Sequence, residues 1–156
     1  MKPETLDHAG IAALVPHRGP MCLLDRMTSW SETGIECIAV GHRDPAHPLR
    51  SRRGLLASAA IEYAAQATAV HGALCAKAAG DRAAPGFLAS ARDVRLSRLR
   101  LDDLPDAASD ELVVSAERQA ADASRILYAF RVSHDGQEVA SGRVAVVLNA
   151  AREPTA

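Results

Sequence analysis

Apolar positions recur along this chain with two different periods, and the changes between them divide it into elements. In residues 5–14, Leu6, Ile11 and Leu14 fall roughly on one side of a helix. Val15-Pro16 ends that helix, because a residue before proline is pushed out of the helical region. Residues 22–40 read as two short extended pieces split near Gly34, with Ile35, Cys37 and Ala39 alternating against Glu36, Ile38 and Val40. Residues 55–79 predict the longest helix: alanine and leucine dominate, proline is absent, and Gly80 stands where a helix stops. Few of its positions are strongly polar, so it is expected to be buried on most sides. After Pro85-Gly86 the pattern is extended again, with strands predicted over 87–101, 111–120, 125–133 and 138–148 and a hairpin turn at Asp135-Gly136. Residues 150–156 read as a frayed tail. Only the long helix is large enough to cover a sheet. The pattern therefore predicts an α+β fold, an antiparallel sheet wrapped around one long central helix, as a single domain over 1–156.

Composition narrows the function. At 156 residues and 48% hydrophobic, the chain has material for one core. Its 18 Lys+Arg against 19 Asp+Glu give a net charge of -1, which argues against a generally basic nucleic-acid binder. With aromatics at 3%, little is left to stack on bases. No apolar run reaches the ~18 residues of a membrane span, and no apolar segment follows Lys2 as in a secretory signal. Cys22, Cys37 and Cys75 are an odd set without zinc or redox spacing. They are expected to be reduced thiols in a cytoplasmic protein.

Two regions hold candidate chemistry. Residues 41–54 form a long polar stretch with His42, His47 and four arginines, and loops of more than ~12 residues in compact domains are usually functional or disordered. On the long helix, Ser58, Glu62 and Gln66 make one polar stripe among alanines, continued backwards by Gly54. A carboxylate there either reaches the surface or caps a neighbouring loop, or is a general acid tuned by desolvation. His71 and Cys75 stand four apart on the helix, compatible with a metal but lacking further ligands at sensible spacing. His8 and His134 read as surface positions, and His17 as a turn residue. There is no P-loop, G-x-G-x-x-G or G-x-S-x-G motif.

These residues meet in a resemblance. Pro16-His17-Arg18-Gly19-Pro20-Met21-Cys22-Leu23-Leu24-Asp25-Arg26 resembles the PHRxPxLLxDR segment of the hotdog-fold 3-hydroxyacyl-[acyl carrier protein] dehydratases, and Ile61-Glu62-Tyr63-Ala64-Ala65-Gln66-Ala67 resembles their LExxAQA helix motif. The likeness continues more weakly through 86–96 and 136–147. Within that family the chain resembles the divergent branch associated with aryl-polyene and similar polyunsaturated lipid pathways. The resemblance implies a catalytic pair of a loop histidine and the helix acid. His47 stands fifteen residues before Glu62, within one residue of the family's spacing, and His42 is too distant. The loop departs from the family's GHFPGxPxxPG: it reads Ala46-His47-Pro48-Leu49-Arg50-Ser51-Arg52-Arg53-Gly54, without the phenylalanine and both Pro-Gly pairs.

The implied reaction needs no metal or organic cofactor. A neutral histidine takes the C2 proton of a 3-hydroxyacyl thioester, and Glu62, kept protonated by an apolar setting, delivers a proton to the leaving hydroxyl. Backbone N–H groups from Gly54 to Ala57 at the helix start suit the thioester oxygen, with Ser58 and Gln66 completing the substrate contacts. Arg50, Arg52 and Arg53 flank His47, while Arg92, Arg95, Arg98 and Arg100 crowd one strand and the acids lie elsewhere, at 102–111. A basic rim suits an acidic acyl carrier protein, although a charged strand edge can be merely solvated. The family builds its site between two subunits, so the resemblance implies a homodimer, or a heterodimer with a related hotdog subunit, in which His47 of one chain faces Glu62 of the other. The same fold also serves acyl thioesterases, and a subunit of low activity that supports a related dehydratase is a third reading.

Overall fold

A computed structural model describes residues 4–15, 19–82 and 86–148. Pro16, His17 and Arg18 of the first motif, and the expected tail at 150–156, lie outside the described residues. Helix α1 (His8–Leu14) starts at Asp7, whose carboxylate accepts the Gly10 N–H, and buries Ile11. Strands β1 (Arg26–Trp30) and β2 (Gly34–Ala39) follow, then helix α2 (Ala60–Ala78), then β3 (Gly86–Leu96), β4 (Leu112–Ala121), β5 (Arg125–His134) and β6 (Gln137–Leu148). The six strands form one sheet in the order β1-β2-β4-β5-β6-β3, with every pair antiparallel. Asp135 and Gly136 both take positive φ (50° and 75°), as a two-residue hairpin demands. Gly80, at φ 75°, ends α2.

The 19 residues of α2, about 28 Å at 1.5 Å each, lie across the sheet. Ala60, Ala64 and Ala67 are fully buried, as are Leu112, Val114, Val132 and Val144 on the sheet. Small residues let the helix axis come close to the strands. A leucine at Ala64 or Ala67 would overpack that contact, which typically costs about 1–3 kcal/mol. A stripe of α2 stays only half-buried: Ile61, Glu62, Ala65, Ala69, Gly72 and Ala76.

The two edges of the sheet differ. At β1 the N-terminal segment closes the edge, with Leu6 and Met27 exchanging both backbone hydrogen bonds. At β3 the outer edge has no neighbouring strand among the described residues, and Phe87, Leu88 and Leu96 are exposed there.

Two boundaries depart from the sequence pattern for one reason. The predicted helix start at residue 55 is instead a bridge: Leu101 N–H donates to Leu55 C=O and Ala57 N–H to Leu99 C=O. The 55–57 backbone therefore bonds across to 99–101, and helical turns begin only at Ala57. The same bridge ends β3 at Leu96 rather than 101. No helix among the described residues is long and apolar enough to cross a membrane.

Candidate active site

The 41–54 segment is a chain of tight turns. Asp44 N–H bonds to Gly41 C=O, His47 N–H to Asp44 C=O, and Arg50 N–H to His47 C=O, and Ser51 and Gly54 exchange both backbone bonds. His47 is thereby fixed through its backbone on both sides. Its side chain points inward and is only 8% exposed. Nε2 lies 2.9 Å from the Tyr63 hydroxyl, and Nδ1 accepts the Leu49 N–H at 3.1 Å. Burial lowers the His47 pKa from 6.5, more than the nearby Asp44 raises it, and His42 and Arg50 push it the same way as burial. The ring is thus held neutral at physiological pH.

Glu62 occupies the first turn of α2 and is half-buried. Its Oε1 accepts a hydrogen bond from Gln66 Nε2 at 3.1 Å. Gln66 is fully buried and uses its amide twice more: Nε2 donates to Met21 C=O (2.7 Å) and Oε1 accepts the Leu23 N–H (2.9 Å). The AQA glutamine therefore ties the 21–23 segment to the helix and aims the acid. Both ring nitrogens of His47 bond to other groups than Glu62, so within one chain the two candidate catalytic groups are held separately.

Gly54 is buried at φ 94°, and a Cβ there would lie 2.5–2.7 Å from atoms of Arg100 and Asp102, so only glycine fits. Asp102 accepts the Leu55 N–H and two bonds from Arg100, and it pairs with Arg50. Arg100 chiefly holds its carboxyl down to about 2. The expected thioester-binding amides are accordingly reduced. Gly54, Leu55 and Ala57 N–H groups serve Ser51, Asp102 and Leu99, leaving those of Leu56 and the exposed Ser58 without such bonds among the described residues.

The expected arginine rim is also altered. Two acids of 102–111, Asp102 and Asp110, fold back onto the loop and partner its Arg50 and Arg43. Arg50 is held by Asp102, and Arg43 by Asp110, while Arg52 and Arg53 are exposed. Around Asp110, His42 and His134 each donate Nε2–H to Oδ1, at 3.1 and 2.8 Å. His134 is therefore buried and not a surface residue. These three offer ligand atoms close enough together for a metal ion. However, Arg43 spans both Asp110 oxygens and is itself fixed by Leu104 C=O, so the carboxylate already has its cation. Arg43 also holds that carboxyl well below its usual range. His71 bonds to Tyr128 and Ser31 C=O inside the core, with Cys75 beside it, as a structural histidine.

Tyr63 and Asp102 are the residues sequence reasoning missed. Tyr63 was visible as one of five aromatics, adjacent to Glu62 in the helix motif. Nothing local marks Asp102, one of several acids in a turn.

A family model described as ApeP dehydratase, ApeP-like, matches residues 9–155. Among solved structures, the dehydratase heterocomplex ApeI:P from Xenorhabdus doucetiae superposes with a TM-score of 0.77 at 22% identity, covering 90% of this chain and 91% of that one. The thioesterase HI1161 from Haemophilus influenzae gives 0.67 at 11% identity, covering 99% and 98%. Such identities establish the shared hotdog fold. No curated protein matches the chain in sequence.

Proposed function

This chain belongs to the ApeP-like dehydratase family, and from that premise we propose that it removes water from 3-hydroxyacyl thioesters borne on an acyl carrier protein, giving 2-enoyl thioesters for aryl-polyene-type lipids. The observation that carries this reading is His47: a buried, neutral imidazole whose orientation is fixed by Leu49 and Tyr63. Such a group is suited to take a weakly acidic proton.

In the step, the imidazole of His47 takes the C2 proton. The C2–H electron pair becomes the C2=C3 double bond as the C3–O bond breaks. The carboxylic acid of Glu62 gives its proton to the departing hydroxyl, which leaves as water, and the imidazolium proton later returns to the carboxylate. Charge that develops on the thioester oxygen is met by the Leu56 and Ser58 N–H groups at the head of α2. Gln66 positions Glu62, and Gly54 and Ala57 shape the backbone that presents those amides.

The open β3 edge and the half-buried α2 stripe suit a second hotdog subunit, either another copy or a related chain. Pairing would bury Glu62 further and would bring it to His47 of the neighbour. The exposed Arg52 and Arg53 would steer the acidic carrier protein.

The test incubates the purified protein, alone and with a related hotdog subunit, with 3-hydroxyacyl carrier thioesters and follows enoyl product and free thiol together. Enoyl formation without thiol supports the reading. Thiol release without enoyl product would instead indicate the thioesterase chemistry of other members of this fold. Pairing is tested by mixing His47→Ala with Glu62→Gln under subunit exchange. Random exchange of homodimers should restore up to about a quarter of wild-type activity. No recovery despite proven exchange rejects the homodimeric site, and recovery only with an added related subunit assigns it to a heterodimer.

A further inference from the structure

Resting on the dehydratase reading above, we propose that Tyr63 is a positioning residue for the reaction: it holds His47 in the Nε2–H tautomer and so makes Nδ1 the atom that receives the C2 proton. The assignment follows from donors and acceptors. A backbone N–H can only donate, so the 3.1 Å contact of Leu49 N–H makes Nδ1 an acceptor without a proton. A neutral imidazole carries one N–H, which must then be on Nε2. At 2.9 Å from Nε2, the Tyr63 hydroxyl oxygen is the acceptor. The opposite tautomer would set two N–H donors against each other at Leu49 and leave buried Nε2 dependent on a proton from Tyr63.

The surroundings favour this arrangement. Tyr63 is 1% exposed, and its ring stands 6.0 Å from that of His47, tilted by 42°. Burial pushes its phenol well above the usual range, so it stays a neutral hydroxyl. The charged and titratable groups acting on His47 are Asp44, which favours the imidazolium, and His42 and Arg50, which oppose it. None of them makes a hydrogen bond to the ring, so the Tyr63 oxygen is the group that directly meets the positive charge appearing on Nε2–H. That bond becomes charge-assisted as Nδ1 takes its proton, the logic by which a third group orients and supports a catalytic histidine. The Leu49 N–H occupies the Nδ1 lone pair between turnovers. Substrate C2 must displace it, and this local contact between residues two apart is the weaker of the two. Tyr63 follows Glu62 directly on α2, so one turn of one helix both presents the acid and orients the base of its own chain.

The decisive experiment is 15N NMR of the histidine side chains together with the pH profile of Tyr63→Phe. In the wild type, His47 should show a protonated Nε2 and an unprotonated Nδ1. In Tyr63→Phe the two nitrogens should move toward averaged shifts. Its kcat should fall about ten- to a hundredfold, the scale of a hydrogen bond to a charged group, with KM changed less than about twofold. The acidic limb of its kcat profile should move to lower pH, because the imidazolium has lost its acceptor. A wild-type spectrum with Nδ1 protonated overturns the proposal, and it does so even if the variant fails to fold. An unchanged pH limb or unchanged kcat in a folded variant overturns it too. The tautomer is read without turnover, so a chain inactive on every 3-hydroxyacyl thioester would refute the dehydratase reading while the spectrum still decides what Tyr63 does to His47.

Discussion

Replacing Asp102 by alanine should detach the backbone that leads into α2, and the cost can be worked from its contacts. The side chain is 3% exposed; Oδ1 accepts the Leu55 N–H at 3.0 Å and Arg100 Nε at 3.0 Å, and Oδ2 accepts Arg100 Nη2 at 2.6 Å and pairs with Arg50 at 3.3 Å. Leu55 is fully buried, so its N–H would be left without a partner, costing about 1–3 kcal/mol. The two guanidinium groups are about a third exposed and would regain water, so they add little. The expected loss is therefore about 1–3 kcal/mol. Asp102→Asn should cost about half that, because the amide oxygen can still accept from Leu55 while its NH2 faces arginine donors. The carboxyl is held at about 2 against an ordinary 3.8. Its contribution is therefore fully present above about pH 4 and lost as pH falls through about 2. Urea denaturation of the wild type and both variants at pH 7 and at pH 3 reads this directly. A loss below about 0.5 kcal/mol at pH 7, or a gap that widens on acidification, would refute the argument.

Gln66→Leu should lower stability by about 2–3 kcal/mol, since Leu23 N–H and Met21 C=O lose their partner, and should lower kcat more than it raises KM, because Glu62 is no longer aimed; equal kinetics with lowered stability would limit Gln66 to a structural tie. Burial lowers the pKa values of His42, His47 and His71 from 6.5. The unfolded chain then binds more protons below about pH 6.5, so stability should fall as pH drops from 7.5 to 5.5. Urea midpoints across that range check it, and a flat profile contradicts it. Charge reversal at Arg52 and Arg53 should reduce turnover of carrier-protein substrates several-fold, most at low salt, while leaving a pantetheine thioester nearly unaffected; equal losses on both substrates would move these residues from docking to the pocket.

The architecture was legible because period is a local property. The alanine-rich run around Ala60–Ala78, the Asp135-Gly136 turn and the alternation of Ile126, Tyr128, Phe130 and Val132 each carry their own signal. His47 and Glu62 were reachable through short motifs. What escaped was whatever depends on contacts distant in sequence. The helix starts late because Leu55 and Ala57 bond to Leu101 and Leu99, more than forty residues away. His134 looked exposed beside a polar turn, yet Asp110 gathers it with His42 from the far side of the sequence. Arg43 and Arg50 looked unpaired because Asp110 and Asp102 reach them only in the fold. Tyr63 stood inside the recognised motif, but its hydroxyl acquires meaning only once the turns at Asp44–His47 and His47–Arg50 aim the imidazole at it.

If His47 takes the C2 proton, solvent exchange at that carbon through reversible dehydration measures it directly. The protein, in its active assembly, is incubated in D2O with a 3-hydroxyacyl carrier thioester, and deuterium entering C2 is counted by mass spectrometry for the wild type and for His47→Ala. The wild type should wash deuterium into C2 as the dehydration runs in both directions. His47→Ala, folded and equally able to bind substrate, should do so at least ~10²-fold more slowly, the usual loss on removing a general base. Wild-type exchange in a folded His47→Ala assembly would contradict the account and remove this histidine from the chemistry.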